Sequence, residues 1–171
     1  MQRVLVGLAV LVLGGCAVAV PGRAVPEPTP VGAPQPVAGR PTLVADVLAD
    51  ECLLDADGFA LVVEAPVEPP ANGGDPRSCS TSATRGTPRA LAGINVYGVR
   101  DGSPVDLLRA GRDLPGVGDA ARVVETVGGP TLQIATGAHL VTITVADCEP
   151  DDARWAAAGR SAVAALGRTP R

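Results

Sequence analysis

The chain of 171 residues contains no lysine, so all 14 of its basic side chains are arginines. A lysine amine forms Schiff bases with carbonyl substrates, and a lysine ammonium group contacts the phosphates in Walker-type nucleotide sites. Ser-Lys dyads need the same side chain as their base. The absence of lysine therefore excludes these three kinds of active site.

Aromatic side chains are almost as scarce, because Phe, Tyr and Trp together make up 2% of the chain, and the formal net charge is −4. Proteins that bind nucleic acids generally combine a basic surface with aromatic side chains on which the bases stack. This chain has neither property. We therefore expect no nucleic-acid partner.

Histidine occurs once, at His139, and the chain contains no G-x-S-x-G nucleophile elbow. A serine hydrolase of the Ser-His-Asp kind would use such an elbow together with the histidine. A zinc site needs several Cys or His ligands at characteristic spacings, and the four cysteines are spread along the chain without a C-x-x-C pair. The sequence therefore predicts no catalytic residue, no cofactor and no metal.

The N-terminal segment has the features of a lipoprotein signal peptide. Arg3 supplies a positive charge, residues 4–13 are uncharged and apolar, and Leu13-Gly14-Gly15-Cys16 matches a lipobox. The sequence predicts a signal peptide over residues 1–15 and a Cys16 that carries diacylglycerol and palmitate. The protein would then be lipid-anchored on the outer, extracytoplasmic face of the cell membrane. A plain signal peptide and an anchor helix remain open, although glycines interrupt the ~20 apolar residues that a spanning helix needs.

Residues 16–41 form a predicted tether that begins with the lipidated cysteine. Seven prolines and three glycines lie among residues 21–41, and proline lacks the N–H group and the freedom in φ that helices and sheets require. Such a segment is a semi-extended spacer with a reach of up to about 3.1 Å per residue. A proline-rich ligand for an SH3-like partner is the alternative interpretation.

Residues 42–168 are long enough for a single domain with its own core, and they hold the three remaining cysteines. Disulfides are common in exported proteins, but three cysteines cannot all pair within one chain. We favour Cys52–Cys79, which would close a 27-residue loop around the proline- and glycine-rich residues 66–76, and which leaves Cys148 free or paired with another molecule. The pairs Cys79–Cys148 and Cys52–Cys148 remain open.

Hydrophobic periodicity predicts three helices and five strands in this domain. A helix is expected in residues 53–67 with Asp55 as its N-cap, a second from Ser103-Pro104 to Gly111, and a third from Pro150 to Gly167. A further helical turn is expected within residues 42–52. Strands are expected at residues 78–84, 90–100 and 121–127, and a hairpin at 130–136 and 139–146 joined at Gly137-Ala138. Strands in adjacent runs predict an α+β fold, with an antiparallel sheet and the helices packed on one face.

Several of these features together resemble a family of actinobacterial cell-envelope lipoproteins whose domain has no assigned function. The resemblance covers residues 1–168 and depends on the lipobox, the proline-rich spacer, the two cysteines 27 residues apart and the D-L-P-G-V-G-D-A-A stretch at residues 113–121. It implies an exported α+β domain without known catalytic residues. Thr81, where family members often carry an aromatic residue, and the additional Cys148 depart from the family pattern.

Residues 116–121 spell G-x-G-x-x-A, which is the pattern of dinucleotide-binding loops. That site requires a strand before the glycines and a helix after them, so that helix amides meet the pyrophosphate. Here a helical pattern precedes the motif and a strand pattern follows it. The stretch therefore predicts a structural turn, in which Asp119 bonds to nearby backbone.

The acids Asp50, Glu51, Asp55 and Asp57 are clustered in sequence. They could form a glycosidase pair or a weak cation site, but favourable charge at a helix N-terminus explains them as well. Cys148 could be a redox or cross-linking thiol, or a small buried side chain. Trp155 lies on an apolar helical stripe and is expected in the core.

Taken together, the anchor, the tether and the missing catalytic sets predict a membrane-anchored lipoprotein that is a non-enzymatic binding or accessory module of the cell envelope. Its partner would be an envelope protein or a small ligand. A small-ligand carrier and, less favoured, an envelope hydrolase that uses acids and His139 are the alternatives. The prediction implies an apolar surface on the polar strand face or in a groove between sheet and helices.

Overall fold

Eight strands and two α-helices make up the part of the chain that the computed structural model describes, residues 40–86 and 89–169. The helices are α1 (Ala56–Val63) and α2 (Asp152–Leu166), and a 3₁₀ turn spans Pro104–Leu107. The strands are β1 (Thr42–Val44), β2 (Ala71–Gly73), β3 (Ser78–Ser82), β4 (Leu91–Arg100), β5 (Arg112–Asp113), β6 (Ala120–Thr126), β7 (Gly129–Thr136) and β8 (His139–Ala146). The fold is therefore α+β, as predicted. The predicted signal peptide, the lipidated Cys16 and residues 16–39 of the tether lie outside the described residues.

All strand pairs of the sheet are antiparallel, in the order β2-β3-β4-β8-β7-β6-β5, with β1 beside β4. Strands β1 and β3 occupy the same edge of β4: β3 pairs with residues 91–94 and β1 with residues 98–100. Residues 95–97 of β4 therefore have no strand partner on that edge.

Capping side chains determine where both helices begin. The Asp55 carboxylate accepts a hydrogen bond from the Gly58 N–H at 2.8 Å, and the Asp151 carboxylate accepts one from the Arg154 N–H at 2.9 Å. Helix α1 ends at Glu64, which has left-handed backbone angles with a φ of 60°. Asp55 was predicted as a cap, and it is one.

The main hydrophobic core contains residues of both helices and of the sheet. Trp155 is 1% exposed and belongs to this core, as predicted, together with alternate residues of the central strands. Its other large members include Phe59, Val62, Ile94, Val96, Leu132, Ile134, Val141, Ile143 and Val145. The alternation along the strands places these side chains on one face of the sheet.

A smaller cluster lies on the opposite face, where Leu108 covers Ala135 and Leu140. Because of this cover, β7 is buried on both faces over residues 131–135. The expected polar face of the hairpin is correspondingly less exposed than its alternating pattern predicts, since Thr142 and Thr144 are half-buried.

Two predicted helical segments are wrong. Residues 42–44 form β1, because the β4 edge offers backbone partners that an isolated helical turn would not supply. The expected helix from Ser103 to Gly111 is only the 3₁₀ turn Pro104–Leu107, since Leu108 adopts extended backbone angles and its side chain packs on the sheet. Ser103 nevertheless caps this turn by accepting a hydrogen bond from the Val105 N–H at 3.2 Å.

Within the described residues, no helix combines the length and the apolar character needed to cross a membrane.

Candidate functional site

A cleft of about 650 Å³ lies where the β7–β8 turn approaches the end of α2. Three separate parts of the chain form it: the segment after β1, the turn itself and the C-terminal turn of the helix. Its lining residues are Val47, Leu48, Thr136, Gly137, Ala138, His139, Val163, Leu166, Gly167 and Thr169. Most of the side chains are apolar, and hydroxyl and imidazole groups supply the polar part.

The turn that forms one wall of the cleft is fixed from two sides. Gly137 has a φ of 55°, which glycine adopts at little cost. Its N–H donates a hydrogen bond to the Asp119 carboxylate at 2.7 Å, and the Ala138 carbonyl accepts one from the Val99 N–H at 2.8 Å. His139 at the start of β8 is half-buried.

Residues 45–52, which we name the connecting segment because they lead from β1 towards α1, contribute Val47 and Leu48 to the cleft. Arg77 is the main support of this segment. The Arg77 guanidinium donates hydrogen bonds to the carbonyls of Leu48 at 2.6 Å and Ala49 at 3.1 Å, and the Arg77 N–H donates to the Asp46 carboxylate at 2.7 Å. These contacts position Val47 and Leu48 against the cleft.

Asn72 of β2 holds the other end of the connecting segment. Its side-chain oxygen accepts a hydrogen bond from the Glu51 N–H at 2.9 Å, and its side-chain N–H donates to the Asp50 carboxylate at 2.6 Å. The bonds from Asn72 and from the Cys52 N–H lower the pKa of Asp50. This acid therefore acts as a hydrogen-bond acceptor in a surface network.

Glu51 fills the part of the β4 edge that lacks a strand partner. Its side chain is 0% exposed, and its Oε2 accepts a hydrogen bond from the Val96 N–H at 3.3 Å. Its Oε1 has no hydrogen-bond partner among the described residues. Burial raises the pKa of Glu51, and the negative charge of Asp46 adds to this, while the Val96 bond and Arg77 oppose it.

Tyr97 follows Val96 in β4, and the pKa of its phenol is shifted in the same direction as that of Glu51. Burial and the negative charge of Glu51 both raise the pKa of Tyr97.

The disulfide Cys52–Cys79 is present, as we favoured, with an S–S distance of 2.10 Å and a Cα–Cα distance of 5.0 Å. It joins the end of the connecting segment to β3. Cys148 has no disulfide partner among the described residues, so the two alternative pairings are wrong.

The Cys148 thiol is half-buried and donates a hydrogen bond to the Val62 carbonyl at 3.4 Å. Burial raises the pKa of Cys148, and the charges of Glu64 and Asp147 add to this. Since the thiolate is the reactive form of cysteine, these surroundings disfavour the redox or cross-linking interpretation of this residue.

A second groove of about 610 Å³ runs between α1 and α2. Asp55, Asp57, Cys52 and Arg168 line it, whereas His139 lines the first cleft. The structure therefore does not bring the histidine and these acids together in one hollow. Among residues 40–86 and 89–169, no three His, Cys, Asp or Glu side chains are grouped so that they could hold a metal ion.

The G-x-G-x-x-A stretch is a turn between β5 and β6, as predicted. Gly116 and Gly118 have φ values of 76° and 57°, and a strand follows where a dinucleotide site would have a helix. The predicted bond between Asp119 and the backbone of its own turn is wrong. The Asp119 carboxylate accepts a hydrogen bond from the Gly137 N–H instead, because the β7–β8 turn lies beside it.

The cleft as a whole could not be found from the sequence. Val47, Thr136 and Leu166 are ordinary residues of three distant segments, and no spacing connects them. Arg77 and Asn72 were missed for the same reason, since their partners lie 21 to 31 residues earlier in the chain.

Comparison of the chain with models of protein families, with curated proteins and with solved structures found no match.

Proposed function

We propose that the protein is a lipid-anchored, non-enzymatic binding module on the outer face of the cell membrane, and that it holds a small ligand in the cleft between the connecting segment, the β7–β8 turn and α2. The cleft carries this proposal. Its volume of about 650 Å³ lies within the range of small-molecule sites, and five apolar side chains line it together with two threonines and one histidine.

The disulfide supports the extracytoplasmic part of the proposal. Disulfides persist in oxidising compartments and are rare where glutathione and thioredoxin keep thiols reduced. Cys52 and Cys79 form such a bridge, and Cys79 is fully buried. The lipobox at residues 13–16 and the envelope-lipoprotein resemblance point to the same compartment.

The proposal includes an arrangement in which both α-helices cover one face of the sheet. Phe59 of α1 and Trp155 of α2 share a core cluster with Ile94 and Val141, whose neighbours in the strands point to the opposite face. The cleft then lies at one end of this helix layer, where α2 stops.

Metabolic labelling with palmitate tests the anchor. We expect the wild-type protein to incorporate the label, Cys16→Ser to lose it, and Cys148→Ser, a matched change at another thiol, to keep it. The mass of the purified wild-type chain should show that residues 1–15 are absent. Label in Cys16→Ser, or an intact leader on the wild-type chain, would contradict the lipoprotein part of the proposal.

Fluorescence of 1-aminoanthracene, a small apolar probe, tests the cleft. We expect saturable binding by the wild-type protein and by Leu43→Asp, and greatly weakened binding by Val47→Asp. Both residues are partly exposed, at 48% and 36%, but only Val47 of the two lines the cleft. Equal binding by the two variants, or binding that does not saturate, would contradict the proposed site.

A further inference from the structure

We propose that the ligand of the cleft is an alkylammonium compound, a short apolar chain that ends in a cationic amine. This inference rests on the proposed function, because it names the chemical class that the same cleft would take.

The apolar part of the ligand is inferred from the apolar side chains that line the cleft. Val47 and Leu48 of the connecting segment and Val163 and Leu166 of α2 line the cleft. Burial of an alkyl chain against these apolar side chains is favourable. A chain of about six carbons fits comfortably into a space of about 650 Å³.

The cationic part follows from the charges that surround the cleft. Helix α2 has 15 residues, and its C-terminal end, which carries a partial negative charge, contributes Gly167 to the lining. No basic side chain lies in the last turn of this helix. The Asp119 carboxylate is held against the N–H of Gly137, another lining residue, and Asp46 precedes Val47.

Two arginines adjoin lining residues. Arg168 follows Gly167 but lines the groove between α1 and α2. The Arg77 guanidinium is bonded to the carbonyls of Leu48 and Ala49, and the Asp46 carboxylate, which is bonded to the Arg77 N–H, offsets its charge. Neither arginine is among the lining residues of the cleft. Thr136 and Thr169 add hydroxyl oxygens, which accept hydrogen bonds from an ammonium group.

The single histidine allows a direct test with the full chain. The full-length protein is placed in phosphatidylcholine nanodiscs and labelled at histidine, so that one imidazole NMR signal reports on the cleft. The probes are hexylammonium, hexanol and hexanoate at pH 8, where alkylammonium groups, like lysine side chains, stay protonated. We expect the His139 signal to shift and saturate, with a midpoint about fivefold lower for hexylammonium than for hexanol, and with hexanoate weakest.

Two arginine substitutions, one on α2 and one just after it, separate the cleft from the general charge of the protein. Thr169→Arg places a cation in the cleft and should reverse the preference towards hexanoate. Ala164→Arg places the same cation in the groove on the other side of the helix, since Ala164 lines that groove, and should leave the preference unchanged. If Thr169→Arg does not fold, Val47→Arg introduces the charge at another lining residue.

The outcomes distinguish this inference from the proposed function. Saturable binding of all three probes without a preference for the amine, or equal effects of the two arginine variants, would overturn the inference while leaving a ligand site in the cleft. Absence of saturable binding by every probe would overturn both.

Discussion

At the scale of single residues, Glu51 has the least ordinary surroundings. Its carboxyl group is fully buried, one oxygen satisfies the Val96 N–H, and the other has no described partner. Burial disfavours the charged form, so the protein keeps Glu51 protonated to a higher pH than an unfolded chain would. The stabilisation from this shift is complete below the ordinary value of 4.5 and is lost as the pH rises through the higher folded-state pKa.

Replacement of Glu51 by glutamine should therefore stabilise the protein at neutral pH. Glutamine can still accept the Val96 hydrogen bond, and it carries no charge to be buried. We expect Glu51→Gln to raise the free energy of unfolding at pH 7 by roughly 1–3 kcal/mol, and to match the wild type near pH 4. Urea titrations across this pH range measure the difference. Glu125→Gln removes a charge from an exposed position and should show no such gain; a less stable Glu51→Gln protein at pH 7 would contradict the assignment.

The two glycines of the β5–β6 turn make a matched pair. Both have positive φ, but a Cβ at Gly118 would lie 2.6 Å from the Ala135 carbonyl oxygen, whereas a Cβ at Gly116 would meet nothing within 4 Å. Gly116→Ala should cost about 1–2 kcal/mol from backbone strain alone. Gly118→Ala should cost about 1–3 kcal/mol more because it also overpacks. Thermal melts of the two variants compare these costs, and equal losses would show that space at Gly118 is not limiting.

Sequence reasoning about single residues succeeded where the role was local and failed where it depended on the tertiary structure. The Asp55 cap accepts a hydrogen bond from Gly58, three positions ahead, so the sequence alone contains its partner. Asp50 and Glu51 are adjacent acids in the sequence, but one is exposed and the other fully buried. Only the missing strand partner of β4 explains that difference.

At the scale of elements, α2 lies close to the sheet because of its small residues. Gly159 is buried, and a Cβ there would lie 2.6 Å from Val117 Cγ1 and 3.1 Å from Leu132 Cδ2. This contact brings the helix over the turn after β5 and onto β7. Alanine would be the better helix former at that position by about 1 kcal/mol, so glycine is present for packing.

Gly159→Ala should therefore destabilise the protein although it favours the helix. We expect a net loss of about 1–2 kcal/mol, because overpacking a well-filled core costs more than the propensity gain. Gly167→Ala is the matched control: its nearest neighbours would lie 3.7 Å away and its φ is −66°, so we expect almost no change. Chemical denaturation followed through Trp155 fluorescence measures both. A stabilised Gly159→Ala protein would show that the helix has room to move.

Elements with a clear apolar pattern were predicted from the sequence, and elements without one were not. The β7–β8 hairpin and α2 were predicted because apolar periodicity and turn residues coincide there. Strands β2 and β5 are two or three exposed residues long, without any apolar pattern, and they exist through pairing with β3 and β6. Strand β1 was predicted as helix for the same reason, since its conformation depends on the open edge of β4.

At the scale of the whole molecule, the disulfide closes a loop of 27 residues that contains α1 and β2. By loop-entropy scaling, such a bridge contributes roughly 3.5 kcal/mol to stability. We expect the double variant Cys52→Ser/Cys79→Ser to lose about that amount in urea unfolding. Cys148→Ser keeps a hydroxyl donor near the Val62 carbonyl and should lose much less. If the double variant unfolds at the same urea concentration as the wild type, the bridge has no such role.

The order of β1 and the disulfide cysteine Cys52 along the chain determines how the domain responds to mechanical force. Tension applied at Arg40 would act first on the three residue pairs that join β1 to β4, which would separate one after another. Once the hydrogen bonds of the connecting segment to Arg77, Asn72 and Val96 also break, the chain could extend by at most roughly 35 Å, the contour length of residues 42–52. Beyond that point the covalent link to Cys79 passes the force into β3, so α1 and the residues around it carry no load.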